Sequence, residues 1–179
     1  MKMRLRFGLL LILMLVGMRL GAQEFSPEDK ALKTQLNKSW NLVARAIAHK
    51  DYAAFAAVTD SSRVSAEEAI TEKTFPRYAT FVGRIFQVDR LLDPKLTPVA
   101  IRKNTHWAAY YSYYVDSDSP QQSSMALDMV VFRYVNGGWK MSLPQYGSTF
   151  PKKPTEEANK KEALRLIEAD KNFHLPADK

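Results

Sequence analysis

The chain contains no cysteine. Disulfides, thiolate metal ligands, a cysteine nucleophile and lipid attachment through an N-terminal cysteine are therefore excluded, and packing must carry the stability. Histidine is scarce, at three residues, and no His-Glu-x-x-His pattern occurs, which removes the zinc site built on that motif. No glycine-rich phosphate loop follows a strand pattern, and Gly137-Gly138 is explained by a hairpin. Asp116-Ser117-Asp118 opens like a calcium loop, but Gln121 stands where the sharp turn needs glycine and Leu127 where the last ligand needs an acid. Neither a metal nor a cofactor is predicted. Internal repeats and low-complexity tracts are also missing.

The N-terminus has the three parts of a secretory signal. Lys2, Arg4 and Arg6 form the charged region, Phe7 to Val16 the apolar run, and Gly21-Ala22 the small residues before a cut ahead of Gln23. Spanning a bilayer takes about 20 apolar residues, and Arg19 stops this run short. The expectation is an exported protein, periplasmic or extracellular in a bacterium, with no stable membrane anchor after cleavage. Loss of Lys2, Arg4, Arg6 and Arg19 takes the net charge from +7 to +3. Much of the basicity thus belongs to targeting, and no nucleic-acid partner is expected.

The remaining residues divide into a domain over 23–151 and a charged linker with a helical tail over 152–179. In the domain, Ser26-Pro27-Glu28-Asp29 marks a helix start. Leu32, Leu36, Trp40, Val43 and Ile47 then share one helical face, with Lys33, Asn37 and Arg45 largely opposite. Asp51 caps a short helix carrying Tyr52, Phe55 and Val58. Ser65 and Glu68 form a capping box for a third helix to about Lys73, which Pro76 ends. From Thr80 the pattern turns to strands: Phe81 to Leu92, Pro98 to Lys103, His106 to Val115, and Met125 to Val135. Asn136-Gly137 then makes a hairpin turn into Trp139 to Leu143. In the tail, Thr155-Glu156-Glu157 opens a helix to about Asp170. Its apolar stripe is thin, mainly Leu164 and Ile167, which predicts weak docking and little contribution to stability. Helices followed by an antiparallel sheet give an α+β class.

Two stretches carry a family resemblance. The long first helix runs into His49-Lys50-Asp51-Tyr52-Ala53-Ala54-Phe55, and Val130 to Met141 contains two strands around a Gly-Gly-Trp turn. Together, over roughly residues 27–150, they resemble the nuclear transport factor two-like, or SnoaL-like, cone fold. The resemblance implies N-terminal helices packed on a curved, cone-like sheet. That superfamily includes isomerases, hydrolases and many non-catalytic modules, so fold alone does not fix function. Its enzymes place a carboxylate with a tyrosine, an arginine or a second carboxylate in the cone.

Pairing Val115 with Met125 sorts the strand residues by face. Trp107, Ala109, Tyr111 and Tyr113 fall with Leu127, Met129 and Val131. The other face carries His106, Tyr110, Ser112, Tyr114, Asp128, Val130 and Phe132. A two-residue turn at Asn136-Gly137 adds Trp139, Met141 and Leu143 to this second face, whereas a three-residue turn sends them to the first. Asp128 among apolar groups would need a partner or a raised pKa. Asp128 and His106 are the catalytic candidates. Tyr110, Ser112, Tyr114 and Asp128 are the ligand-binding candidates. Downstream, Ser142, Pro144 and Gln145 stand where a further base is wanted, which weighs against catalysis. The leading reading is an exported non-catalytic module that binds a small apolar ligand or a protein partner. The alternatives are an isomerase or hydrolase using Asp128 with Tyr110 or Tyr114, and a structural domain that dimerises through its sheet.

Overall fold

The structure, a computed structural model, describes residues 25–85, 97–116, 118–143 and 145–178, with backbone alone at 81–85 and 97. The signal segment and the 86–92 part of the first strand expectation lie outside these residues.

Helix α1, Pro27–Ala48, starts where the caps direct it. The Ser26 hydroxyl accepts from the Asp29 amide at 3.1 Å, and Pro27 needs no donor in the first turn. The helix closes in a Schellman motif with Lys50 at φ 54: the Asp51 amide donates to the Ala46 carbonyl at 2.9 Å and the Lys50 amide to that of Ile47 at 3.1 Å. Asp51 is used again at once, accepting from the Ala54 amide at 2.9 Å to cap α2, Tyr52–Val58. The predicted stripe of α1 is buried. Asn37, expected on the opposite face, is buried with it.

After the two-residue strand β1, Thr59–Asp60, the expected third helix is absent. Ser65 and Glu68 do bond as a capping pair, but the segment stays a single turn. Only Ala69 and Ile70 follow before Thr71, too few to repay the cost of nucleation. Thr71 and Thr74 exchange hydroxyl–amide bonds there and lead into α3, Phe75–Ile85. Pro76 therefore lies in the first turn of a helix, where its missing N–H costs nothing, and does not end one. Residues 81–85 are helical, which corrects the strand expected to begin at Phe81.

The strands that follow are β2 (Thr97–Lys103), β3 (Trp107–Val115), β4 (Ser124–Val135), β5 (Gly138–Ser142) and β6 (Tyr146–Pro151). The sheet among the described residues is mixed, because β1 runs parallel to β5, and it does not close. Strand order is β1-β5-β4-β3-β2, and β6 also pairs with β4. The long β4 thus serves β6 with residues 124–129 and β5 with residues 132–135. Gln145 fills the gap between them. Its Oε1 accepts from the Val131 amide at 3.0 Å, and its Nε2 donates to the Ser142 carbonyl. Val115 does face Met125. Asn136 (φ 52) and Gly137 (φ 80) make a two-residue turn that joins Val135 to Gly138, so Met141 falls on the face of Phe132.

Both faces of the sheet are covered. On the front, α1, α2 and α3 bury Leu36, Trp40, Phe55 and Phe75 against Tyr110, Phe132 and Met141. On the back, α4 (Glu156–Ala169) and the turn Lys171–Phe173 bury Ala163, Ile167 and Phe173 against Tyr111, Leu127 and Met129. The expectation of a weakly docked tail therefore gives way. The Tyr111 hydroxyl donates to the Phe173 carbonyl at 2.6 Å, Arg102 pairs with Glu168, and Asn104 Nδ2 donates to the Pro176 carbonyl at 2.9 Å. The thin stripe misled because Phe173, as fully buried as Ala163 and Ile167, comes after the helix.

Candidate functional site

Register builds the front-face site. Ser112 lies directly across from Asp128, and Asp128 lies across from Gly147 on the other flank of β4. The bare glycine makes room for the carboxylate: a Cβ at residue 147 would stand 2.8 Å from Asp128 Oδ1. Asp128 is half-buried, and its Oδ2 is shielded from solvent. The Ser112 hydroxyl is buried and has no hydrogen-bond partner among the described residues. Tyr114 is half-buried, across from Ala126. Tyr110 is fully buried, and burial pushes its phenol up to about 12, so it remains neutral near pH 7. The Lys33 ammonium stands 5.5 Å from the centre of its ring.

Four of the five sequence candidates, Tyr110, Ser112, Tyr114 and Asp128, thus share one face of adjacent strands. His106 does not join them. It precedes β3, and its Nδ1 lies 3.3 Å from Asp178 Oδ1. That carboxylate also accepts from the Thr105 and His106 amides, at 2.9 and 3.1 Å. The expectation of a cavity-facing His106 is replaced by a partly exposed residue that fastens the C-terminal segment.

A second site lies where the C-terminal segment meets β6. It is a cleft of about 370 Å³. Gln145 and Tyr146 line it together with Lys171, His174 and Leu175. Arg63, from the turn after β1, reaches the same space, and Asn172 and Pro176 complete the lining. Tyr146 is fixed by donating its hydroxyl to Asp170 Oδ2 at 2.7 Å. This bond and burial raise its pKa. Asp170 is spent locally: its Oδ1 caps the Asn172 amide at 2.9 Å, and this bond, with the one from Tyr146, holds its pKa down. Beside the cleft, the guanidinium carbons of Arg63 and Arg133 lie 5.8 and 5.4 Å from the Trp107 ring centre.

Sequence reasoning missed this cleft. Its walls come from residues 63, 145–146 and 171–176, and no spacing motif links those segments. In the sequence Gln145 stands out only as a residue that cannot serve as a base. The sole local signal was Tyr146-Gly147-Ser148-Thr149-Phe150, whose strand character is weakened by Gly147 and by prolines on both sides.

Among the described residues, no group of three or more histidines and acids could hold a metal ion, and no helix is long and apolar enough to cross a membrane. No family model, curated protein or solved structure matches the chain.

Proposed function

We propose that the chain is an exported, non-catalytic binding module of the nuclear transport factor two-like type, with a cone-like sheet, and that it takes a small ligand in the cleft beneath its C-terminal segment. The cleft carries this reading. Its 370 Å³ falls within the usual range for small-molecule pockets, about 300–1,000 Å³. Its walls combine apolar surface from Tyr146, Leu175 and Pro176 with amide and cationic donors. Among the described residues, the lining includes no carboxylate that could act as a base, and Asp128 belongs to the opposite face of the sheet. The concave shape favours a small molecule over a protein surface. The order of elements, two helices, a short strand that pairs with β5, a third helix and then the remaining strands, is compatible with the family placement.

The test is a fragment screen by thermal shift on the protein and on Asn172→Trp, which puts a bulky ring into the cleft from an exposed position. Fragments that stabilise the parent and not the variant are expected. Equal stabilisation of both, or no stabilising fragment, would remove the reading.

An isomerase or hydrolase built on Asp128 is favoured by one observation: its carboxylate is half-buried in the row Ser112, Asp128, Gly147, with Tyr114 nearby on the same strand face. Asp128 would be the base and Tyr114 the hydrogen-bond donor. Tyr110 is a weaker donor candidate because its ring is fully buried.

A further inference from the structure

The charges around the cleft are unevenly satisfied. Among the described residues, neither Arg63 nor Lys171 makes an ion pair, although both line the same space. The carboxylates close by are engaged elsewhere. Asp60 accepts from Ser62 at 2.7 Å and lies 3.4 Å from Arg133 Nη1. Asp170 holds Tyr146 and the Asn172 amide. Glu168 pairs with Arg102. His174 also lines the cleft, with its Nε2–H donating to the Glu168 carbonyl at 3.2 Å. Two guanidinium groups, from Arg63 and Arg133, approach one indole; Asp60 lies 3.4 Å from Arg133 Nη1 and also acts on Arg63 through its charge, without forming an ion pair with it. Partial burial lowers the pKa of Arg63 and the charge of Asp60 offsets part of that, while the residue stays exposed overall. An anion in the cleft would give Arg63 and Lys171 a charge-assisted hydrogen-bond partner. The rest of the lining, the Tyr146 ring with Leu175 and Pro176, suits a short apolar body.

We infer that the ligand of this cleft is a compact organic anion, with an oxyanion head held by Arg63 and Lys171 and an apolar body against Tyr146 and Leu175. This rests on the binding-module reading and names the ligand class of the same site. Carboxylate and phosphate heads share the required chemistry, since a guanidinium fork donates to the oxygens of either. The surface position of both cations means that attraction falls with salt.

The experiment is calorimetric titration with benzoate, phenyl phosphate and neutral benzamide at low and high salt, on the parent protein, Arg63→Gln and Lys171→Gln. Both side chains are on exposed residues, so the variants should melt close to the parent. At least one anion is expected to bind about tenfold or more tightly than benzamide, the scale of one hydrogen bond to a charged group. That margin should shrink in high salt and in each variant. Which anion binds better distinguishes a carboxylate source from a phosphate source. Benzamide binding as well as the anions would overturn the charge assignment while leaving a binding cleft in place. An anion preference that survives both substitutions would move the site away from Arg63 and Lys171 and overturn the inference. Absence of binding by all three probes would overturn the inference, and the fragment screen would then decide the cleft reading independently.

Discussion

The Tyr111 hydroxyl donates to the Phe173 carbonyl at 2.6 Å, and both residues are fully buried. This bond joins the centre of the sheet to the chain's last turn. The C-terminal segment is therefore a layer of the fold and one wall of the cleft. Phe173→Ala should destabilise by about 3–5 kcal/mol, the usual cost of deleting a buried phenyl ring. Tyr111→Phe should cost about 1–3 kcal/mol by leaving a buried carbonyl without its donor. Urea unfolding measures both. A Phe173→Ala variant as stable as the parent would detach the tail from the core.

Gly147 faces Asp128 closely enough that the usual benefit of glycine replacement should reverse. Gly→Ala at an unstrained site gains about 0.4–1 kcal/mol through the unfolded chain. Here the new Cβ would meet Asp128 Oδ1 at 2.8 Å, so Gly147→Ala should destabilise. In an Asp128→Ala background the penalty should vanish, giving a coupling of about 0.5 kcal/mol or more in a double-mutant cycle. Additive effects would show that the two positions do not touch.

Alkaline titration reports on the buried tyrosines. Burial raises Tyr78, Tyr110 and Tyr111 each to about 12, above the ordinary value of 10.0. The folded state thus favours the protonated phenol. The stabilisation is full below pH 10 and is lost as pH rises from there through about 12. Absorbance near 295 nm should show these three ionising well above pH 10, together with unfolding. Ionisation of all tyrosines near pH 10 in a folded protein would contradict their burial.

The proposed export makes its own prediction. Intact mass of the protein recovered outside the cytoplasm should lack residues 1–22. Retention of that segment on an exported chain would replace the cleaved signal with an anchor.

The α+β class, the caps of α1 and α2, and the face assignments of β3 and β4 were legible because each rests on local chemistry. Ser26 and Asp51 bond within one turn of themselves, and Asn136-Gly137 sets register by its own geometry. What escaped depended on distant partners. Pro76 is compatible with ending one helix or opening the next, and the Thr71–Thr74 pair decides it. The tail looked polar because Phe173 lies outside the helical stripe. The nearly unbroken apolar run of β3 did carry a hint of the second layer, since a strand with one wet face alternates and this one does not. In the candidate site, four residues of one face were found by alternation alone. The cleft needed the path of β6 and the tail, which no periodicity encodes.

The most direct test of ligand binding beneath the C-terminal segment is amide chemical-shift mapping of the protein titrated with a stabilising fragment. Shifts should concentrate at Arg63, Gln145, Tyr146 and residues 171–175, and leave Ser112 and Asp128 unmoved. Shifts concentrated on Ser112, Tyr114 and Asp128 instead would contradict the account and move the site to the front face, where the enzymatic reading begins.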